Sequence, residues 1–106
     1  MKPGIDIESD EPGHGAVAER GKTVVIRYDG FLHRGDAFQK DQVAEFELGK
    51  RRVIAGLEYG IEGMQVGGRR RFRVAPHLAY RDEGVAGVIP PNALLTFAVE
   101  LLEVRG

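Results

Sequence analysis

The sequence predicts an α+β fold, in which a mainly antiparallel β-sheet is built around one short α-helix. Three observations support this prediction. Short β-branched or alternating segments recur along the chain between glycine-containing turns. A single segment has the spacing of an amphipathic helix. The length of 106 residues, with 42% apolar and 29% charged residues, suits one soluble globular domain.

The strands follow one another along most of the chain. Residues 1–20 are rich in glycine, proline and acidic residues, and we interpret them as an N-terminal lead-in whose packing the sequence leaves open. The domain proper then covers residues 21–106. The clearest strand is the Thr-Val-Val-Ile run that ends at Asp29-Gly30. In chain order, the predicted strands are residues 5–8, 23–28, 45–48, 69–75 and 94–104.

The helix is predicted from apolar residues spaced three or four apart. Ile54, Leu57, Ile61 and Met64 follow this rule. Three glycines fall within the same stretch, each of which weakens a helix by up to ~1 kcal/mol relative to alanine. The helix should therefore be short and depend on packing. Residues 76–91, with several glycines and prolines, are predicted to be irregular.

The composition excludes several kinds of chemistry and of partner. The chain has no cysteine and a single serine, Ser9 in the lead-in, so nucleophilic catalysis has no scaffold. Its three histidines are far apart and none forms a pair at metal-ligand spacing, so we expect no metal and no cofactor. A net charge of −1 calls for neither nucleic acid nor an anionic membrane. With no signal peptide and no membrane span in the sequence, we expect a cytoplasmic monomer.

Two groups of charged residues have ordinary explanations. Glu58 and Glu62 share one face of the predicted helix, and we interpret them as surface charge rather than an acid–base pair. Arg69, Arg71 and Arg73 share one strand face, opposite Phe72. Cross-strand pairing with acids such as Glu100 or Glu103 would account for these arginines. The alternative is an adaptor face that docks RNA or an acidic protein.

The aromatic residues are the most informative group, five phenylalanines and three tyrosines spread along the chain. Core packing explains most of them. Tyr28 and Tyr80, however, each carry a hydroxyl group that needs a partner when buried. Rings gathered around such inward hydroxyls would form an apolar pocket with a few oriented polar groups.

Five blocks of sequence, in a fixed order, resemble the FKBP-type peptidyl-prolyl cis-trans isomerases, the tacrolimus-binding immunophilins. The resemblance runs from about residue 13 to residue 104, nearly the whole chain. The blocks are GKTVVIRYDG at 21–30, FELG at 46–49 leading into VIAGLE at 53–58, MQVGG at 64–68, PHLAY at 76–80, and GVIPPNALLTF at 87–97 closing with VELL at 99–102.

The resemblance implies a bent antiparallel sheet wrapped around the short helix, with a proline pocket between them. Tyr80 would offer its hydroxyl, and Ile54 its backbone N–H, to carbonyl groups of the bound peptide, while residues 81–88 would form a mobile flap. Leu57 would be the floor of the pocket. The residues implied to act in catalysis are Tyr80, Ile54, Tyr28 and Phe97, and those implied to bind substrate are Phe38, Gln39, Phe46, Val53, Leu57, Val88 and Ile89.

The implied function is isomerisation of X–Pro bonds in proline-containing polypeptides, as a folding helper that uses no cofactor. Three departures from the family pattern predict reduced activity and weak binding of macrolides such as tacrolimus or rapamycin. Gln39 stands where the family usually has aspartate, and Leu57 where it commonly has tryptophan. The segment 39–45 is also a few residues shorter. The alternatives are a catalytically weak module that binds proline segments, and the adaptor described above.

Overall fold

A computed structural model of the chain describes residues 3–106 and shows the predicted α+β fold. The elements are β1 (Ile5–Glu11), β2 (Thr23–Leu32), β3 (Ala37–Glu47), α1 (Ala55–Ile61), β4 (Arg69–Val74) and β5 (Leu95–Arg105), with a 3₁₀ turn at Pro76–Leu78 between β4 and β5. The five strands form one antiparallel sheet in the order β1-β4-β5-β2-β3. Among the described residues, the structure has no helix with the length and apolar character needed to cross a bilayer.

The core lies between one face of the sheet and α1. Alternate side chains of a strand point to opposite faces, so the buried apolar residues of β5 lie on one side: Leu95, Phe97, Val99 and Leu101. The helix adds Leu57 and Ile61, and Phe72 of β4 is fully buried. A Cβ atom at Gly60 would overlap the Phe72 ring. Only glycine therefore allows the helix to approach the sheet this closely.

The predicted strands at residues 23–28 and 45–48 belong to one hairpin, formed by β2 and β3. The Leu32 N–H donates to the Asp36 carbonyl oxygen at 2.8 Å, and the Gly35 N–H donates to the Leu32 carbonyl oxygen at 2.9 Å. These bonds close the turn, so β2 runs on to Leu32 and β3 already begins at Ala37. The helix is shorter than its apolar spacing predicts, because Gly63, with φ +91°, turns the chain before Met64.

The N-terminal segment packs on the sheet. Strand β1 extends from Ile5 to Glu11, longer than the predicted 5–8, and pairs with β4 at the edge of the sheet. The first two residues of the predicted lead-in lie outside the described residues. The boundary that we place between residues 20 and 21 stays a prediction.

Three of the four arginines of β4 are paired with acids of strand β1. Asp6 lies 2.8 Å from Arg73, Glu8 lies 3.2 Å from Arg71, and Asp10 lies 3.1 Å from Arg70. Pairing across strands was therefore the right kind of explanation.

The predicted acidic partners of these arginines, on β5, were wrong. Glu100 approaches Arg27 at 3.8 Å, and Glu103 pairs with Arg105 at 3.1 Å. The reason is the strand order: β4 has acid-rich β1 on one side, and that neighbour supplies the carboxylates opposite the arginines.

Candidate active site

An aromatic wall forms the centre of the site, on the helix-facing side of the sheet. Phe97 is 3% exposed, and its ring centroid lies 6.0 Å from that of Tyr28 and 5.9 Å from that of Phe38. The contact with Phe38 is edge-on, a favourable geometry for aromatic rings. Gly30, the β2 residue opposite Phe97, leaves room for the Phe38 ring, since a Cβ there would lie 2.6 Å from that ring.

The start of α1 forms the second side of the site. Ile54 is the residue before the helix, and its carbonyl oxygen accepts hydrogen bonds from the N–H groups of Leu57 at 3.1 Å and Glu58 at 3.3 Å. The Ile54 N–H donates to no backbone carbonyl group of residues 3–106. A helix leaves its first N–H groups without intrahelical acceptors, so a donor at this position is available to a ligand.

Two phenol groups approach each other at the third side. Burial raises the pKa of Tyr28, and the nearby phenol of Tyr80 raises the pKa further. Tyr80 is half-buried against the core. The site therefore combines apolar rings with two hydroxyl groups and one backbone donor, an arrangement typical of pockets for small, mostly apolar groups.

Residues 81–88 form a compact flap that follows Tyr80. The Gly84 N–H donates to the Tyr80 carbonyl oxygen at 3.0 Å, and Val85 and Ile89 form a two-way backbone bridge with N···O distances of 2.8 Å. Ile89 is buried in the core, whereas the Val88 side chain is 48% exposed. Of the two predicted substrate-binding residues Val88 and Ile89, only Ile89 packs in the core.

Phe46 and Val53 border a groove of about 380 Å³. Its other lining residues include Ala44 and the charged side chains of Glu45, Glu47 and Arg52. The groove around these two predicted site residues is therefore largely polar.

The predicted apolar site residues other than Val88 lie in or against the hydrophobic core, and ring contacts bring Tyr28 and Phe38 onto Phe97. Leu57, which we expect to form the floor, is 3% exposed. Gln39 lies on β3 opposite Gly30 and next to Phe38 in sequence, and it is half-buried. The residues that pack in or against one apolar cluster are Tyr28, Phe38, Phe46, Val53, Ile54, Leu57, Tyr80, Ile89 and Phe97.

The interpretation of Glu58 as surface charge was wrong. Glu58 is 8% exposed, and its Oε2 accepts hydrogen bonds from the backbone N–H groups of Gly49 at 2.9 Å and Arg51 at 3.3 Å. This carboxylate thus holds the loop that leads into Val53 and Ile54. The helical spacing contained the signal, because Ile54, Glu58 and Ile61 lie on the same buried face.

Comparison with known proteins identifies the family. Residues 15–102 match the family model described as FKBP-type peptidyl-prolyl cis-trans isomerase. The chain is 45% identical over 105 residues to FK506-binding protein 4 of Aspergillus fumigatus, covering 96% of this chain and 21% of that protein. It is 41% identical over 106 residues to the 46 kDa FK506-binding nuclear protein of Spodoptera frugiperda, covering 96% of this chain and 26% of that protein.

A solved structure agrees with these sequence matches. The crystal structure of FkpA from Escherichia coli superimposes with a TM-score of 0.81 at 34% identity, covering 95% of this chain and 47% of that one. The chain spans about a fifth to a quarter of the length of the curated relatives named above. The resemblance seen in the sequence is confirmed, and the chain belongs to the FKBP-type peptidyl-prolyl cis-trans isomerase family.

Proposed function

We propose that this chain accelerates cis-trans isomerisation of X–Pro bonds in polypeptides, and that the aromatic wall around Phe97 receives the proline ring. The observation that carries the proposal is the aromatic wall itself: the ring centroids of Tyr28 and Phe38 each lie about 6 Å from that of Phe97, and Tyr80 lies near Tyr28. Family membership supports it. The activity requires no nucleophile, which fits a chain without cysteine.

The barrier to rotation of the X–Pro bond comes from amide resonance, which must be lost as the bond twists, and amounts to ~18–20 kcal/mol. The planar amide is more polar than the twisted one, so a dry apolar site disfavours the ground state. Donors fixed at the carbonyl groups of the substrate hold the twisted geometry. In this chain the Ile54 N–H and the Tyr80 hydroxyl are the proposed donors. Each ~1.4 kcal/mol removed from the barrier increases the rate tenfold.

Two positions reduce the expected activity. Gln39 can donate and accept hydrogen bonds beside Phe38 but carries no charge. Leu57 provides a smaller and less rigid floor than tryptophan. We therefore propose weak binding of macrolides such as tacrolimus or rapamycin, together with isomerase activity below that of relatives with aspartate and tryptophan at these positions.

The adaptor alternative is not carried forward, because Arg70, Arg71 and Arg73 each lie within 3.2 Å of a β1 carboxylate. Paired in this way, they present little free positive charge to RNA or to an acidic protein. The cytoplasmic location and the monomeric state stay predictions. The insect relative is named a nuclear protein, so the compartment of this chain requires its own measurement.

The test is an isomerase assay on a short X–Pro peptide with the purified chain and two site variants. Tyr80→Phe removes one proposed donor and should lower kcat/KM about tenfold, the equivalent of one hydrogen bond. Phe97→Leu should lower it further. The matched control is Phe31→Leu on the opposite sheet face, where the ring contacts Arg71 and Lys40. Folded site variants with unchanged rates would overturn the site assignment.

A further inference from the structure

A second groove, of about 590 Å³, lies beside the candidate site at the end of β2. We call it the Leu32 groove. One wall comes from the end of β2 and the following turn, and the other from the segment that follows the flap. Its apolar lining consists of Leu32, Pro90, Pro91, Ala93 and Leu94. None of these residues belongs to the aromatic wall.

The strand register places the groove two residues along β2 from the aromatic wall. Gly30, which holds the Phe38 ring, is paired with Phe97, and Leu32 is paired with Leu95. Because side chains alternate along a strand, residues 30 and 32 of β2 face the same side of the sheet. Two residues of a strand advance roughly 7 Å. The groove therefore begins roughly 7 Å from the aromatic wall, a distance that two residues of an extended peptide span.

The far wall of the groove is joined to the flap. Pro90 and Pro91 follow directly after Ile89, which is buried in the site. The Asn92 N–H donates to the Arg81 carbonyl oxygen at 2.7 Å, which ties this segment to the start of the flap. A wall held in this way needs little reorganisation, so less ordering entropy opposes the binding of a partner.

The charges at the rim favour an uncharged occupant. Arg34 lines the groove, but its guanidinium group is paired with the Asp36 carboxylate at 2.9 Å. The pair carries no net charge towards the groove. Besides the polar residues His33 and Asn92, the lining consists of leucine, alanine and proline side chains, which stabilise an apolar group by removing it from water.

We propose that the Leu32 groove binds an apolar side chain located two residues from the proline in the substrate chain. It is thus a specificity surface that extends the proline site along β2. The proposal rests on the proposed function, because the bound proline fixes the position of the neighbouring residues. The groove lies away from the reacting bond and binds ground state and transition state alike, so its occupation should lower KM and leave kcat nearly unchanged.

The experiment compares four peptides in the isomerase assay. Two carry leucine, and two carry serine, at the position two residues before or two residues after the proline, with alanine elsewhere. We expect leucine at one of the two positions to raise kcat/KM about tenfold over serine, since burial of a leucine side chain is worth at least that factor. The gain should come from KM.

Two variants assign the gain to the groove. Ala93→Glu places a charged side chain in the groove and should abolish the advantage of leucine, while the serine peptides keep their rates and so report an intact fold. Ala16→Glu makes the same exchange at an exposed position outside the groove and should change neither class of peptide.

The outcomes separate the two proposals. Equal rates for the leucine and serine peptides, or a leucine advantage that survives Ala93→Glu, would overturn the role of the groove while leaving the isomerase intact. If no peptide is accelerated by the folded protein, the proposed function fails, and the specificity surface fails with it.

Discussion

Glu58 is the single residue on which the geometry of the helix side of the site depends most. Its carboxylate accepts two backbone hydrogen bonds from the loop at residues 49–51, and this loop leads directly into Val53 and Ile54. Buried donors that lose their acceptor cost free energy, since water cannot replace it fully. We therefore predict that Glu58 is a positioning residue, which holds the Ile54 N–H where the proposed mechanism requires a donor.

Two replacements of Glu58 distinguish the contribution of its charge from that of its acceptor oxygen. Glu58→Ala should lower the free energy of unfolding by about 1–3 kcal/mol, because the N–H groups of Gly49 and Arg51 lose their acceptor. Glu58→Gln keeps a carbonyl oxygen and should cost less. Urea unfolding measures both losses, and kcat/KM on an X–Pro peptide should fall in the same order. Equal effects of the two replacements would contradict the positioning role.

Ionisation of Tyr28 makes the stability of the folded state depend on pH. Its pKa in the folded state is raised above the ordinary value of 10.0, first by burial and then by Tyr80. The folded state thus holds the phenol proton more tightly than the unfolded state. The stability that this group contributes is fully present below the unfolded pKa and is lost as the pH rises through the folded pKa.

The test measures the free energy of unfolding against pH for the wild type and for Tyr28→Phe, which has no ionisable group at position 28. The difference between their unfolding free energies should be constant from about pH 7 to 9, and the wild type should lose stability relative to the variant above about pH 10. A difference that changes with pH in the neutral range, or none at high pH, would show that the phenol is not buried as described.

These residues also show how far sequence reasoning reaches into the site. The rings and the helix start lie in contiguous blocks of sequence, so their positions could be predicted. The backbone partners of Glu58 and the exposure of Val88 could not, because both depend on how loops fold. A carboxylate on an apolar helix face is the signal that should have been followed.

At the scale of elements, Arg70 joins three of them. Its guanidinium group pairs with Asp10 of β1 and donates to the carbonyl oxygens of Gly60 at 2.9 Å and Glu62 at 3.2 Å, at the end of α1. The last carbonyl groups of a helix have no intrahelical donor, and Arg70 supplies one. The edge strand, β4 and the end of the helix are thus fixed together.

Arg71 is the matched control for Arg70, because it lies on the same strand and pairs with a β1 acid but does not reach the helix. Arg70→Gln should lower the free energy of unfolding by about 1.5–3 kcal/mol, the usual value of hydrogen bonds to a charged group. Arg71→Gln should cost less than ~1 kcal/mol, as is typical of exposed ion pairs. Chemical denaturation of both variants measures the difference, and similar losses would contradict the bridging role.

The elements themselves were largely predictable, and their ends were not. The β-branched run of β2 and the helical spacing of α1 identified these two elements. The hairpin of β2 and β3 was predicted as separate pieces, because its turn is closed by backbone hydrogen bonds that leave no mark on the pattern of side chains. The partners of the arginines required the strand order, which no local pattern contains.

At the scale of the whole molecule, one sheet and one short helix form a dry site without a reactive side chain. The aromatic wall comes from strands β2, β3 and β5, and the proposed donors come from the start of α1 and the segment before the flap. A site of this kind can lower a rotation barrier through its polarity and hydrogen-bond donors. Isomerisation of an X–Pro bond is such a rotation and requires no reactive side chain.

The central claim is tested most directly by the exchange between cis and trans forms of an X–Pro peptide, measured by NMR at equilibrium. A catalyst does not change the equilibrium constant, so the protein should increase both exchange rates by the same factor. Phe97→Leu should remove most of this increase while keeping the fold. Unchanged exchange rates in the presence of the folded wild type, or full acceleration by the folded variant, would contradict the account.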